Sequence, residues 1–312
     1  MATIGIDIGG TTTRAGLVDQ TGRLLIAQRL PTPRSADAFF DKLCARIASL
    51  RESEAAHGPG VSALGVALPG LIDSDRGRLV RSVNLPFLEG NPVRHELAAR
   101  TGLPVMLTTD ADAATWGEYS ARSPRAARFV HLRLGTGVAC GVVLDGKLQP
   151  TGQPRATHWN VLVVDRGPSA IACPCGLRGC LETIASGPAI EQRAMSLGLT
   201  PSAFTGEGRG EGRRSRTLRD LQEAFVQRDT GARALIDEIT RGVITAISNL
   251  RSQISNLESV CLGGGVLSAL PCLFEATSTQ WAQHPDAGSA SLYLARLGDN
   301  AGVIGAAMLA CT

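Results

Sequence analysis

Short apolar runs alternate with segments of helical periodicity along the whole chain. At the N-terminus, "ATIGIDI" is predicted to form a buried strand, "TRAGLVD" its hairpin partner and "QTGRLLIAQRLP" a third strand. The next segment, "SADAFFDKLCARIASL", has its large apolar residues at helical spacing, and Ser35 or Asp37 is its candidate N-cap. The chain is therefore predicted to begin with three strands followed by a helix.

The same alternation continues towards the C-terminus. "SALGVALPG" and "LPVMLTTDA" are predicted to be strands, with a helix between them in "NPVRHELAARTG" that Gly102 closes. A helix is predicted in "ATWGEYSAR", and "RFVHLRLGTG" begins a second strand-turn-strand unit. An apolar stripe from Leu235 to Ile254 predicts a long helix, which leads into the strand and turn of "ESVCLGGGVLS". Strands that alternate with helices indicate an α/β fold.

One pattern is written twice, about 125 residues apart. "DIGGTTTRAGLV" (7–18) and "RLGTGVACGVVL" (133–144) both contain an apolar strand, a turn of glycine and threonine, and a second apolar strand. The two copies also end alike, with "TGRL" at 21–24 and "DGKL" at 145–148. The repeat suggests two related half-domains, each of which presents backbone N–H groups to a shared ligand. A chain of 312 residues is also long enough for two domains.

Composition narrows the class of protein. A hydrophobic content of 44% and a charged content of 19% are typical of a globular chain with an ample core. The net charge of +3 gives no indication of nucleic acid or a membrane surface as a partner. No signal peptide and no membrane-spanning run is recognised, and eight cysteines without a secretion signal favour a reducing compartment. We therefore expect a cytoplasmic protein.

Three glycine-rich turns follow predicted strands. Such turns hold phosphate, because glycine lets the backbone approach closely and turn its N–H groups towards an anion. None of them matches a Walker A loop or G-x-G-x-x-G before a helix, and each taken alone is more typical of an ordinary hairpin. The first turn contains Asp7, which would repel a phosphate and is better placed to hold Mg²⁺ through water. The candidate nucleotide-binding residues are Asp7, Gly9, Gly10, Thr11, Thr12, Gly135, Thr136, Gly137, Gly263, Gly264 and Gly265.

Asp110, in "LTTDADAATWGE", is the candidate catalytic base. It follows an apolar strand at its carboxyl end, which is where open α/β sheets bind their ligands. A carboxylate there can accept the proton of an attacking hydroxyl group during phosphoryl transfer. The alternative at this point is that Asp110 caps the helix that follows.

Three cysteines in "CPCGLRGC" form a candidate metal site. Cys173, Cys175 and Cys180, together with His158 fifteen residues upstream, make a tetrahedral set of ligands for zinc with no open position. Such a site is structural rather than catalytic. The other cysteines lie in apolar stretches and are predicted to be small core residues. They are Cys44, Cys140, Cys261, Cys272 and Cys311.

The segment 205–216, "TGEGRGEGRRSR", is rich in glycine and arginine. Its composition predicts a mobile, exposed loop, with a lid that touches phosphate as the alternative.

Together these motifs resemble the ROK family of bacterial sugar kinases and repressors. The resemblance rests on "IGIDIGGTTTRAGLVD", "TDADAATWGE", "LGTGVACGVVLDGK", "CPCGLRGCLETIASG", "CLGGGVL" and "LGDNAGVIGAAMLA", and runs almost from end to end of the chain. Within the family the chain is most similar to the N-acetylglucosamine kinases and fructokinases. The resemblance implies an actin-like fold of two ribonuclease-H-like domains, residues 1–118 plus 300–312 and residues 119–299. It also implies ATP and Mg²⁺ between them, and transfer of the γ-phosphate to a sugar hydroxyl, the 6-hydroxyl of a hexose or N-acetylhexosamine.

The resemblance also implies roles for single residues. Asp110 matches the catalytic base of the family, and four further positions match residues that contact or orient the sugar: Gly70, Asn84, His158 and Glu182. His158 could then bind zinc through one ring nitrogen and a sugar hydroxyl through the other. Homodimers are common in the family, so a homodimer is expected on that ground alone.

Two positions depart from the family pattern. The usual Asn-Asp-Ala-Asn is Thr109-Asp110-Ala111-Asp112 here, and the usual Glu-x-Gly-His has Arg155 in place of the glutamate. A glutamate accepts hydrogen bonds from sugar hydroxyls, whereas arginine can only donate them. The substrate could therefore be an unusual one, such as an amino sugar, a sugar acid or a cyclitol.

Two other functions compete with the kinase. One is a degenerate member of the family that binds sugar or nucleotide without turnover, which the changes at Thr109 and Arg155 motivate. The other is a transcriptional repressor, which would carry a helix-turn-helix module before the first glycine turn. The motif with that turn, "IGIDIGGTTTRAGLVD", begins at residue 4, so this module is not expected here.

Overall fold

The computed structural model of the chain describes residues 1–55, 60–150, 162–199 and 211–311. In this part of the chain the strands form two five-stranded sheets and one two-stranded pair. Elements are numbered below in chain order.

The first sheet contains the first predicted strands. Its order is β3-β2-β1-β4-β7, in which β1, β2 and β3 are antiparallel neighbours while β1, β4 and β7 are parallel. The strands are β1 (Ala2–Ile8), β2 (Thr12–Val18), β3 (Leu24–Pro31), β4 (Val61–Leu68) and β7 (Val105–Thr109). The small pair is β5 (Leu71–Asp73) and β6 (Arg78–Arg81).

Helices cover this sheet with apolar side chains. In α1 the predicted stripe of Phe39, Leu43, Ile47 and Leu50 is fully buried, in one core cluster with the side chains of β1. Ser35 caps α1, since its hydroxyl accepts from the Ala38 N–H at 3.4 Å. The helices are α1 (Ala36–Ala55), α2 (Val93–Thr101), α3 (Asp110–Ser120) and α10 (Ala301–Ala310).

The second sheet repeats the topology of the first. Its order is β10-β9-β8-β11-β12, so the first, second and third strands along the chain again lie on one side and the last two on the other. β8, β11 and β12 are parallel. The strands are β8 (Arg128–Leu134), β9 (Val138–Leu144), β10 (Lys147–Gln149), β11 (Ser259–Gly263) and β12 (Ser291–Leu294). The repeat seen in the sequence is thus a repeat of structure, and the predicted class of fold is confirmed.

In the described residues, six further α-helices lie between β10 and α10. The longest, α7, buries the predicted apolar stripe on one face, from Leu235 to Leu250. The helices are α4 (Glu182–Ala185), α5 (Gly187–Ser196), α6 (Glu211–Val226), α7 (Thr230–Gln253), α8 (Gly265–Ala269) and α9 (Pro271–Ala282). None of the helices in the described residues is long and apolar enough to cross a bilayer.

Two predictions about single segments were wrong. Residues 211–216 belong to α6, which contradicts that part of the predicted loop 205–216, and residues 205–210 lie outside the described residues. Cys311 is exposed, because α10 ends one residue earlier and the chain leaves the core there. Cys140, Cys261 and Cys272 are buried as predicted, and Cys44 is half-buried against the core.

The chain divides into two compact units. One comprises residues 1–125, 141–157 and 299–312, and the other residues 126–140 and 158–298, as far as these are described. The predicted domain boundaries, 1–118 plus 300–312 and 119–299, remain a prediction.

The C-terminal helix α10 packs closely against the backbone of neighbouring elements. A Cβ atom at Gly5 in β1 would lie 1.9 Å from the Val303 carbonyl oxygen, and one at Gly65 in β4 would lie 1.9 Å from that of Ala306. On the other side of α10, a Cβ atom at Gly305 would lie 1.6 Å from the Ala113 carbonyl oxygen in α3. Glycine at these positions lets the helix touch two strands and a second helix directly.

Candidate active site

Candidate residues in the first unit gather at one edge of its sheet. In the parallel pairing, Asp7 of β1 is level with Ala67 of β4, and Leu68 of β4 is level with Thr109 of β7. Because parallel strands place their carboxyl ends at the same edge, the first glycine turn, the β4 end and Asp110 share that edge. The structure therefore groups three segments that are distant in sequence.

Asp110 is the first residue of α3 and is half-buried. Its neighbour Thr109 is the N-cap, with φ −76° and ψ 156°, and its hydroxyl accepts from the Asp112 N–H at 3.0 Å. The alternative that Asp110 caps the helix is therefore wrong. The change from asparagine to threonine at 109 keeps a side chain that can cap α3, and leaves the cap position to a residue other than the candidate base.

The first glycine turn is braced by a residue that the sequence analysis did not select. The Gly9 N–H donates to the Thr12 carbonyl oxygen at 2.9 Å, which closes the turn. The Thr32 hydroxyl donates to the Gly9 carbonyl oxygen at 2.7 Å, and the Thr32 N–H donates to the Thr11 carbonyl oxygen at 3.0 Å. Thr32 follows β3 and comes near the turn only through strand pairing, so no local signal identifies it.

Asp7 lies against the start of the C-terminal helix. A Cβ atom at Gly302, in the first turn of α10, would lie 2.3 Å from Asp7 Oδ2. The carboxylate of Asp7 thus occupies the space that a side chain at 302 would need. A negative group near a helix N-terminus is favoured by the helix dipole. Gly302 is a second residue that sequence reasoning missed.

Gly70 and Asn84 are brought into the same region by the loop after β6. A Cβ atom at Gly70 would lie 2.3 Å from the Arg81 carbonyl oxygen, and one at Gly10 would lie 3.3 Å from Asn84 Oδ1. Ser82 fixes the loop, because its hydroxyl donates to the Pro69 carbonyl oxygen at 2.5 Å and accepts from the Leu85 N–H at 3.1 Å. The exposed amide of Asn84 is therefore held beside the first glycine turn.

The second unit brings the other two glycine turns together. Gly263 of β11 is level with Arg133 of β8, so both strands end at the same edge. Gly264 has φ +101°, and a Cβ atom there would lie 2.2 Å from the Leu134 carbonyl oxygen, one residue before the second turn. The candidate residues Gly135–Gly137 and Gly263–Gly265 are thus adjacent, with Thr136 and Gly137 exposed.

Glu182 is the first residue of α4 and is half-buried. Its Oε2 accepts from the Val138 N–H at 2.8 Å. Two other candidates for the sugar site, Arg155 and His158, lie outside the described residues.

The three cysteines form a compact cluster. Their sulfur atoms all lie within 4.8 Å of one another, and Cys175 Sγ is 3.6 Å from Cys180 Sγ. Four ligands at the usual zinc–sulfur distance of ~2.3 Å would place sulfur atoms roughly 3.8 Å apart. Cys173 and Cys180 are buried, while Cys175 is exposed. The spacing fits a tetrahedral zinc site with one further ligand.

The environment of the cluster also favours a cation. Burial raises the pKa values of the Cys173 and Cys180 thiols above the ordinary value of a cysteine. Thiolates at these positions therefore need a compensating positive charge. Soft thiolate ligands and a closed tetrahedral set select zinc over hard cations such as Mg²⁺. The three residues thus fit a structural zinc ion, and His158 remains the proposed fourth ligand.

Replacing Cys180 by serine is expected to remove most of the bound zinc. Serine is a weak zinc ligand, and two thiolates cannot close the site. Metal analysis of purified protein should fall from about one zinc per chain to a small fraction of that value. Cys311→Ser is the matched control, because Cys311 is exposed and outside the cluster, and it should keep its zinc. Equal zinc in both variants would contradict the site.

The whole chain matches a known family. The model of the ROK family matches residues 3–312. An N-acetylmannosamine kinase of Escherichia coli is 32% identical over 99% of this chain and 98% of its own length. A glucokinase of Streptomyces coelicolor is 28% identical over 99% of this chain and 97% of its own length.

A solved structure agrees with these relatives. The crystal structure of a ROK family glucokinase from Streptomyces griseus, in complex with glucose and AMPPNP, is 29% identical and has a TM-score of 0.76. The match covers 100% of this chain and 99% of the glucokinase chain. These comparisons support the predicted family. They do not support the predicted similarity to N-acetylglucosamine kinases and fructokinases in particular.

Proposed function

This chain belongs to the ROK family, and from that premise we propose that it is an ATP-dependent sugar kinase. The proposed acceptor is a hexose or an N-acetylhexosamine, and the proposed site of transfer is its 6-hydroxyl group. Relatives named as a glucokinase and an N-acetylmannosamine kinase, both matched over nearly their whole length, support a kinase of this class.

One observation in this chain carries the proposal. Asp110 stands at the carboxyl edge of the first sheet and leaves the cap of α3 to Thr109. A carboxylate in that place stands where open α/β sheets bind their ligands. Asp7, near the end of β1, and Asn84, beside the first glycine turn, are at the same edge.

The chemistry assigned to these residues is phosphoryl transfer. Asp110 accepts the proton of the sugar hydroxyl as the hydroxyl oxygen attacks the γ-phosphorus, the bond from that phosphorus to ADP breaks, and ADP leaves. Backbone N–H groups of the glycine turns that are not bonded within the turns donate to phosphate oxygens. Asp7 offers the hard oxygen ligand that Mg²⁺ prefers, and its carboxylate would hold that ion through water. Mg²⁺, when bound, offsets negative charge on the phosphates.

Proposed sugar contacts complete the assignment. Asn84 and Gly70 lie in or beside the loop after β6, and Thr109, His158 and Glu182 are the remaining family positions. Arg155 replaces a residue that accepts hydrogen bonds from the sugar, so the preference among neutral hexoses, acetylated amino sugars and acidic sugars is expected to differ from that of other members. A homodimer is proposed on the family resemblance alone.

The experiment is a coupled assay of ADP release with Mg²⁺·ATP and a panel of acceptors. The panel contains glucose, N-acetylmannosamine, N-acetylglucosamine, fructose, a free amino sugar, a sugar acid and a cyclitol. We expect turnover with at least one hexose or N-acetylhexosamine, and the position of the phosphate is then read by NMR. If no acceptor is phosphorylated while calorimetry shows sugar or nucleotide binding, the chain is instead a degenerate, non-catalytic member of the family.

A further inference from the structure

The carboxylate of Glu182 is in contact with the second glycine turn. Its Oε2 accepts from the Val138 N–H at 2.8 Å, directly after the turn Gly135–Gly137. Hydrogen bonds from a backbone N–H to a charged acceptor are stronger than those between neutral groups. Glu182 thus ties the end of the turn to the start of α4.

Gly137 leaves room for this carboxylate. A Cβ atom at Gly137 would lie 2.7 Å from Glu182 Oε2, which is closer than side chains approach oxygen atoms in proteins. Gly137 does not have a positive φ, so backbone conformation does not require glycine there. A Cβ atom at position 137 would therefore have to displace the carboxylate of Glu182.

A second bond holds the other side of the turn. The Gly187 N–H, at the start of α5, donates to the Gly135 carbonyl oxygen at 2.7 Å. Residues 182–187 therefore form hydrogen bonds to the second turn at both of its ends. The turn is fixed by this short segment as well as by its own strands.

The same segment is continuous with the cysteine cluster. Cys180 is two residues before Glu182, and its carbonyl oxygen accepts from both the N–H and the hydroxyl of Thr183, at 2.9 Å and 2.7 Å. The Cys173 sulfur lies 4.0 Å from Glu182 Oε1. One carboxylate thus has one oxygen towards the cluster and the other on the glycine turn.

We propose that Glu182 is a positioning residue for the second glycine turn, and that through it the state of the cysteine cluster sets the affinity for nucleotide. This rests on the proposed function only in that the turn binds nucleotide phosphates. An ion bound to the cluster would fix the positions of Cys180 and α4. Glu182 then keeps its hydrogen bond to the Val138 N–H, and the second glycine turn keeps the conformation that binds nucleotide. When the cluster loses its ion, that hold is released and nucleotide binds more weakly.

The test measures the dissociation constant of a non-hydrolysable ATP analogue with Mg²⁺ and without sugar, by calorimetry. Glu182→Ala is expected to raise this constant about tenfold, the loss of one charge-assisted hydrogen bond. Glu182→Gln keeps an oxygen acceptor and should stay within roughly threefold of the wild type. Glu275→Ala is the control, because it removes an exposed carboxylate on α9 of the same unit.

Removing zinc with a chelator is the second arm. In the wild type the chelator should raise the dissociation constant of the nucleotide. In Glu182→Ala, which already lacks the hydrogen bond to Val138, the chelator should change this constant little. An equal effect of the chelator in both proteins would disprove the coupling. If Glu182→Ala does not fold, Gly137→Ala provides the same test, since its Cβ atom displaces the carboxylate.

The outcomes separate the two proposals. If wild-type protein binds no nucleotide and phosphorylates no sugar, the proposed function is wrong. If the wild type binds nucleotide and Glu182→Ala binds it equally well, only the positioning role is wrong. A sugar contact alone would change KM for the sugar and leave the nucleotide constant unchanged.

Discussion

Replacing Asp110 by asparagine is expected to lower kcat by a factor of about 10²–10⁴, the usual contribution of a general base. Asparagine has nearly the same shape but cannot accept the proton of the sugar hydroxyl. The fold should persist, because Thr109 and not Asp110 caps α3. Loss of a charge in the first turn of a helix costs only about 0.3–1 kcal/mol. The measurement is the ADP-release assay with the best acceptor of the panel.

Asp37→Asn is the matched control for this substitution. Asp37 is also in the first turn of a helix in the same unit, α1, and is exposed. Its replacement removes an equivalent charge from the first turn of a helix that contains no candidate site residue. Its kcat should equal that of the wild type. A kinase that keeps its full rate with asparagine at 110 would refute Asp110 as the base.

Replacing Gly305 by alanine is expected to destabilise the protein by about 2 kcal/mol, although alanine is the better helix former. Helix propensity alone would favour alanine by about 1 kcal/mol. Against this, the new Cβ atom would lie 1.6 Å from the Ala113 carbonyl oxygen and 2.8 Å from the Gly117 N, both backbone atoms of α3. Overpacking of about 1–3 kcal/mol, or more where backbone must move, outweighs propensity. The urea midpoint should therefore fall.

Gly288→Ala is the control for added volume. A Cβ atom there would meet no atom within 4 Å, so its urea midpoint should stay close to that of the wild type. Gly305→Ala should also lower kcat, because α3 carries Asp110 three residues before Ala113. An unchanged or raised midpoint for Gly305→Ala would show that α10 can move away from α3 at little cost.

The periodicity of apolar residues was sufficient to predict the main strands and helices and the repeat of the strand-turn-strand unit. Apolar alternation located β1, β2 and β3, and helical spacing located α1 and α7, because burial of one face requires those periods. The loop predicted at 205–216 was wrong over 211–216 because it was drawn from composition. Arginine and glutamate are good helix formers, and glycine content alone does not exclude a helix.

Only part of the candidate site could be predicted from the sequence. Asp110 and the glycine turns are local motifs, and the cysteines are closely spaced, so pattern alone could select them. Thr32, Ser82 and Gly302 could not be selected in this way. Each acts on a turn or carboxylate that is distant in sequence, and only strand register or helix packing brings the two together.

The contact of α10 with the glycines of β1 and β4 has a consequence for synthesis of the chain. The first unit includes residues 299–312, whereas the second is complete at residue 298. On the ribosome the usual order, in which the N-terminal part folds first, would be reversed. The glycines of β1 and β4 in the nascent first sheet stay uncovered until residues 299–312 emerge. Chaperones are therefore expected to bind this half of the growing polypeptide for longer than the other.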